Sequence, residues 1–494
     1  MEVLYKSTRS DEKMLTASQA IIQGLAYDGG LFMPDHMPKF NGNLAELKDC
    51  SYKEVAYMIM KEFFTDFTEE ELKGCIERAY DKKFDDDLIA PLKKVGDDYY
   101  LELFHGATIA FKDMALSILP HLLTTSMKKN NINEKVVILT ATSGDTGKAA
   151  LSGFADVENT RIIVFYPKGG VSKIQELQMI TQKGANTKVV GVNGNFDDCQ
   201  SKVKEIFNNK QIRDELKQKG YVFSSANSIN IGRLIPQVAY YFYAYARLLN
   251  MGDINAGEKI NFVVPTGNFG NILAGYFAKQ MGLPVNKLIC ASNDNKVLFD
   301  FFNSGTYDKN RKFILTSSPS MDILISSNLE RLIYLSCGSD ADKNSELMKQ
   351  LAECGKYSID DEMKEFLDDF VPGYASQADV SNTIAENYNN FGYVIDTHTA
   401  VASSVMKNYK DSSKDNAKCV VVSTASPYKF VRNVVSSVKD IDDSKDDFEL
   451  IKELESISKV SIPHAVKSLE DAPILHNTVV DIENMIDEVV NFLV

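Results

Sequence analysis

From about residue 96 onward, short continuous apolar runs recur along the chain. Each is closed by a polar, glycine-bearing loop and followed by apolar positions at helical spacing. That alternation predicts an α/β architecture of open, twisted parallel sheets with helices on both faces. Tyr99 to Phe104 reads as the first strand, and Met114, Ala115, Ile118, Leu119, Leu122, Leu123 and Met127 then recur as one face of a helix. Val136 to Thr142 predicts a buried strand, with the loop Ser143 to Gly147 and a helix from Lys148. Arg161 to Pro167 and Lys188 to Val192 repeat the unit, followed by helices over Ser172 to Lys183 and Asp197 to Asn208. Tyr221 to Ala226 leads through Asn227 to Asn230 into a long helix, Arg233 to Leu249. Lys259 to Pro265 opens on Thr266 to Asn271 and a helix running to Met281. Periodicity is weak over about 291 to 395; Asp396 to Val401 then opens a helix, and Ala417 to Pro427 is a final buried strand ending in hydroxyls.

The first ninety-odd residues read differently. Thr16 to Leu25 is a short helix, Tyr27 to Pro34 a glycine-shaped turn, and Ser51 to Phe64 and Thr68 to Tyr80 two further helices. The division expected is an N-terminal accessory domain over 1–95, a core over 96–435 with a smaller lobe of about 130–215 inserted, and a charged linker with a helical tail over 436–494.

One lysine stands out by its position between two patterns. Lys112 falls where the loop leaving the strand at Tyr99 to Phe104 enters a helix, and Ala110, Phe111 and the apolar flanks promise partial desolvation. Lysine beside aspartate is ordinarily a solvated surface pair. A desolvated lysine at a helix start is instead disfavoured as ammonium and suited to act as a nucleophilic amine. Thr108 and Asp113 are the neighbours expected to orient it. Two loops invite comparison with nucleotide motifs. Gly144-Asp-Thr-Gly-Lys148 has too few residues between its glycines for a P-loop, and Ala149 stands where Ser or Thr should follow the lysine. Gly267-Asn-Phe-Gly270 lacks the first glycine of the dinucleotide fingerprint. Thr266 to Asn271 remains a strand-to-helix corner whose successive amides can cradle one phosphate.

Composition narrows the functional class. The chain has 494 residues, 44% hydrophobic, with a net charge of -14 that argues against a nucleic-acid partner. No apolar run is long enough to cross a bilayer, and the N-terminus lacks the order of a signal peptide, so a cytoplasmic protein without membrane association is expected. The seven cysteines include no close pair and read as reduced thiols. The histidines show no metal-ligand spacing, and Asp294, Asn295 and Asp300 do not form a calcium loop, so no metal is assigned.

Taken together, Tyr5 to Arg9, Gly24 to Pro34, Phe104 to Gly106 with Phe111 to Asp113, Thr142 to Gly147, Asn227 to Asn230, Thr266 to Asn271 and Thr424 to Pro427 resemble threonine synthase. That family consists of pyridoxal-phosphate enzymes of the fold-type-II, tryptophan-synthase β-like group. The resemblance runs through most of the chain, and seven short motifs in the right order make chance a poor explanation. It implies that Lys112 is the Schiff-base lysine and proton shuttle for pyridoxal 5'-phosphate. It further implies that Gly267, Asn268, Phe269, Gly270 and Asn271 hold the cofactor phosphate, that Thr424 bonds the pyridine nitrogen, and that Asp145 lies near the ring hydroxyl. Ser143, Thr146, Asn227, Ser228 and Arg233 would hold the substrate's carboxylate and phosphate, Arg233 being the only forked donor among them. The reaction implied converts O-phospho-L-homoserine and water into L-threonine and phosphate by γ-elimination and β-addition, in a monomer or homodimer. Ala107, Lys296 and Ser426 depart from the family's usual wording. Two rival readings stay open: another reaction on the same cofactor, such as a dehydratase or sulfhydrylase, and a non-catalytic phosphate- or nucleotide-binding protein.

Overall fold

A computed structural model describes residues 2–11, 13–142, 144–442 and 444–493. Two parallel sheets organise it. The larger has six strands in the order Phe370–Tyr374, Val285–Ser292, Ile260–Pro265, Cys419–Ser423, Asp98–Glu102 and Leu92–Val95, with only the last pair antiparallel. The smaller is parallel throughout, in the order Val479–Asp481, Thr187–Asn193, Thr160–Pro167, Lys135–Ala141 and Tyr221–Ser224. Central strands such as Ile260–Pro265 and Cys419–Ser423 are buried at every position, as strands covered on both faces must be. Among the described residues no helix is long and apolar enough to cross a membrane.

Several elements differ from the sequence pattern, each for a local reason. The helix expected to run on from Met114 is split into Asp113–Leu116 and Leu119–Lys129, and the one expected from Arg233 into Ile231–Leu234 and Pro236–Met251. Pro120 and Pro236 cannot donate into a preceding turn and open the second segment in each case. The helix expected from Lys148 begins earlier, at Asp145, because Thr142 Oγ1 accepts from the amides of Gly144 and Gly147 and stands in as the cap. In the tail, expected to be helical, Val479–Asp481 forms the edge strand of the smaller sheet, and Met485 and Val489 of the helix Met485–Leu493 are buried in the core beside it.

The N-terminal segment is stitched to the core. Arg9 donates through Nε and Nη2 to the two carboxylate oxygens of Glu330 at 2.8 and 2.7 Å, and Asn230 Nδ2 donates to Ile21 O at 3.0 Å. Capping boxes at Thr16, Ser51 and Thr68 set the starts of the three expected helices.

Candidate active site

Three adjacent strands of the larger sheet, Ile260–Pro265, Cys419–Ser423 and Asp98–Glu102, end side by side. Their outgoing loops carry Thr266 to Asn271, Thr424 and Lys112, so these candidates converge outside the carboxyl ends of a parallel sheet. The loop bearing Lys112 is clamped to the one bearing Thr424. Phe111 N donates to Thr424 O at 2.8 Å, Ser426 N donates to Ile109 O at 3.0 Å, and Ala110 bridges Ala425. Facing them from the smaller sheet is the first turn of Asp145–Phe154, with Asp145 and Thr146. Ser143, a residue expected to contact substrate, lies outside the described residues.

Lys112 is buried, and its Nζ lies 3.6 Å from Asp145 Oδ2 and 5.0 Å from the centre of the Phe111 ring. Burial pulls its pKa down from the ordinary lysine value; Asp145 opposes this, and the neighbouring cations Lys429 and Arg233 add to it. Burial alone would raise the pKa of Asp145, yet Lys429 and Lys112 hold that carboxylate far below its usual range. Asp145 Oδ1 also accepts from Gln175 Nε2 at 2.9 Å and pairs with the fully enclosed Lys429 Nζ at 3.2 Å. Thr108 and Asp113 turn toward each other: Thr108 donates through N and Oγ1 to Asp113 at 2.8 and 2.6 Å. They shape the loop, while the groups that meet the Lys112 amine come from Asp145 and from Ser320, whose Oγ is 3.3 Å away.

The Thr266 to Asn271 corner has the features of an anion cradle. Among the described residues, none of the amides from Gly267 to Asn271 donates to a protein acceptor. Phe269 takes a left-handed φ of 65° just before the helix Gly270–Met281, a conformation that costs a non-glycine residue energy and marks a constrained functional turn. Gly267 cannot be larger, since a Cβ there would come within 2.7 Å of Ser320 O. Asn271 Oδ1 accepts from Tyr240 and Tyr241 hydroxyls at 2.6 and 2.8 Å, which leaves its amide nitrogen buried with no partner among the described residues. These orphan donors beside a desolvated amine fit a phosphorylated aldehyde, with its phosphate on the corner and its carbonyl at Lys112.

The candidates for holding substrate fall in two groups. Arg233 is buried; Nη1 donates to Ala226 O at 2.9 Å, while Nε is enclosed without a partner among the described residues. Burial lowers its pKa to about 10, and among the described residues no carboxylate pairs with it. A desolvated guanidinium in that state is a standing demand for an anion. Ser228 Oγ accepts from Asn328 Nδ2 at 3.3 Å, and Asn328 Nδ2 also reaches Asn268 O at 3.0 Å, which joins the Asn227 to Asn230 loop to the glycine corner. Asn227 is exposed, its amide donating to Ser225 Oγ at 3.2 Å, and Thr146 is half-buried. Lys429 and Ser320 escape the sequence reading, because long-range packing alone brings each to Asp145 and no local pattern marks them.

The residues that depart from the resemblance have defined places. Ser426 Oγ caps the short helix Pro427–Phe430, accepting from Tyr428 N at 3.3 Å, and Lys296 takes a φ of 31° to start the helix Val297–Ser304. Beneath the site, His105 meets Asp85 Oδ1 at 2.7 Å and Glu102 Oε2 at 2.9 Å. Burial opposes the ring's charge, but the two carboxylates win and hold its pKa up at about 9. A folded-state pKa raised above the unfolded value near 6.5 contributes stability that is complete below 6.5 and lost as pH climbs through about 9. The melting temperature is therefore expected to fall over that window. His105→Asn should flatten the fall, as thermal melts at several pH values would show.

Comparison with known proteins agrees with this geometry. A family model described as threonine synthase N terminus matches residues 4–80, and one described as pyridoxal-phosphate dependent enzyme matches residues 90–425. Fold and site together define a pyridoxal-phosphate-dependent enzyme of fold type II, with pyridoxal phosphate as cofactor. The chain is 38% identical over 494 residues to threonine synthase of Saccharomyces cerevisiae, covering 92% of this chain and 94% of that protein. It is 40% identical over 435 residues to human threonine synthase-like 1, covering 85% of this chain but only 58% of that longer protein. The crystal structure of threonine synthase from Brucella melitensis superposes with a TM-score of 0.88 at 34% identity, over 100% of this chain and 99% of that one. The chain belongs to the threonine synthase family.

Proposed function

We propose that the protein converts O-phospho-L-homoserine and water to L-threonine and phosphate, with Lys112 as the cofactor-bearing lysine and proton carrier. The observation that carries this reading is the pairing of two desolvated cations. Lys112 is pushed toward its neutral form, and Arg233 is buried without a counter-ion among the described residues. Bound pyridoxal phosphate supplies a sink for negative charge developing on substrate carbons. The amides of Gly267, Asn268, Phe269, Gly270 and Asn271 would hold its phosphate, Thr424 its ring nitrogen, and Asp145 the side of its ring hydroxyl. Lys112 Nζ would take the α proton, hand it on, take a β proton as the neutral amine again, and return a proton to the γ carbon once phosphate has left, work that needs the neutral amine burial favours. Arg233, with Ser143, Thr146, Asn227 and Ser228, grips the substrate's phosphate and carboxylate so that the γ carbon–oxygen bond is aligned for departure before water adds at the β carbon.

In this reading residues 1–95 form an accessory domain, 96–435 the catalytic core with the inserted lobe of about 130–215, to whose sheet Tyr221–Ser224 and Val479–Asp481 add the edge strands, and 436–494 a linker and tail. The enzyme works in the cytoplasm as a monomer or homodimer, on a small-molecule substrate, without a nucleic-acid or membrane partner. Its test is chemical. Incubation with phosphohomoserine is expected to release inorganic phosphate and threonine in equal amounts; production of an α-keto acid with ammonia instead would assign the protein to the dehydratases.

A further inference from the structure

The loop over residues 316–322 contributes nothing to the reading above, yet it delivers a hydroxyl to the middle of the site. Lys112 Nζ donates to Ser320 Oγ at 3.3 Å, and Ser320 Oγ donates to Asp145 Oδ2 at 3.0 Å. Lys112 and Asp145 stand 3.6 Å apart, beyond the ~2.8 Å of a contact hydrogen bond between ammonium and carboxylate.

The loop that carries the hydroxyl is fixed from several directions. Ser320 N donates to His398 Nε2 at 3.2 Å, so that nitrogen must be an acceptor, and His398 Nδ1 then donates to Asp396 Oδ2 at 2.8 Å. Two residues on, Asp322 Oδ1 accepts from Asn293 Nδ2, Asn295 Nδ2 and Thr316 Oγ1 at 2.8, 2.9 and 2.8 Å. The Ser320 carbonyl abuts Gly267. The backbone of Ser320 is thereby held in place, and its Oγ sits between the two charges, bonded to both.

We propose that Ser320 is a positioning residue for Lys112, its hydroxyl holding the amine and the Asp145 carboxylate apart so that the nitrogen lone pair is not locked into an ion pair. The inference rests on Lys112 being the reactive amine. The charged groups that face the amine are Asp145, Lys429 and Arg233, and Asp145 is the one whose approach Ser320 controls. Without the hydroxyl, the pair can close from 3.6 Å to about 2.8 Å, which at an effective dielectric near 20 raises the amine's pKa by about one unit.

The test uses cofactor-free protein and does not depend on turnover. The rate at which a small acylating reagent modifies Lys112 is followed against pH by peptide mass spectrometry in the native chain, Ser320→Ala and Ser320→Thr. The midpoint for Ser320→Ala is expected about one unit above native, corresponding to about tenfold less neutral amine at a fixed lower pH, with Ser320→Thr near native. In an Asp145→Asn background the alanine change should move nothing. Should Ser320→Ala fail to fold, Ser320→Gly removes the same hydroxyl and carries the same expected upward shift. An unmoved midpoint, or a shift that survives Asp145→Asn, overturns the role of Ser320 while leaving phosphate release from phosphohomoserine untouched. Absence of that release overturns the reaction instead.

Discussion

Lys112→Ala is expected to abolish turnover, by about 10³-fold or more, the upper part of what one positioned proton-transfer group supplies, while leaving the fold intact. The two halves of that expectation have different causes. Activity depends on an amine whose pKa burial lowers from the ordinary lysine value. Stability does not, because a buried ammonium is a desolvation cost and its removal leaves no unpaired charge behind. Asp145 would keep Lys429 Nζ at 3.2 Å, Gln175 Nε2 at 2.9 Å and Ser320 Oγ at 3.0 Å. A melting temperature within a few degrees of native, with no phosphate released from phosphohomoserine, is the expected pair of results. Residual turnover above a hundredth of native would mean that another base moves the protons.

Arg233→Met is expected to separate function from stability more sharply. The guanidinium is enclosed, its Nε has no partner, and burial alone lowers its pKa to about 10. Removing a buried charge relieves its desolvation cost, and even buried ion pairs replaced by apolar side chains of similar volume are often neutral or stabilising by about 1–4 kcal/mol. The melting temperature should therefore hold or rise, less what is lost with the bond to Ala226 O. Binding of an anionic substrate should suffer in the opposite direction. Loss of a desolvated charge pair costs about 2–5 kcal/mol, or roughly 30- to 5,000-fold in kcat/KM. Arg233→Lys should recover little, since an ammonium cannot present two parallel donors to a phosphate. A variant that keeps native kcat/KM would show that the phosphate is held elsewhere.

What could be read before the fold was seen follows from how local each signal is. Lys112 and the Thr266 to Asn271 corner sit where an apolar run gives way to a polar loop and a helix, and that transition is written in neighbouring residues. Asp145 and Arg233 are marked as site residues only by the resemblance to threonine synthase. Strands were legible where both faces are buried, as in Ile260–Pro265, and not at sheet edges. Phe370–Tyr374 contains Pro372 and Gly373, which an edge strand tolerates because one side needs no ladder partner. Val479–Asp481 is three residues long inside an otherwise helical pattern, and only its pairing with Gly191 to Asn193 makes it a strand. Ser320 and Lys429 lie 208 and 317 residues from Lys112 in sequence, and no window of local pattern spans that distance.

The account turns on one amine carrying the cofactor, and locating the covalent label tests it most directly. Protein incubated with pyridoxal phosphate, reduced with borohydride, digested and mapped by mass spectrometry is expected to carry a single phosphopyridoxyl group, on the peptide containing Lys112. A label on Lys148 or Lys429 with Lys112 unmodified, or no label at all, would contradict it.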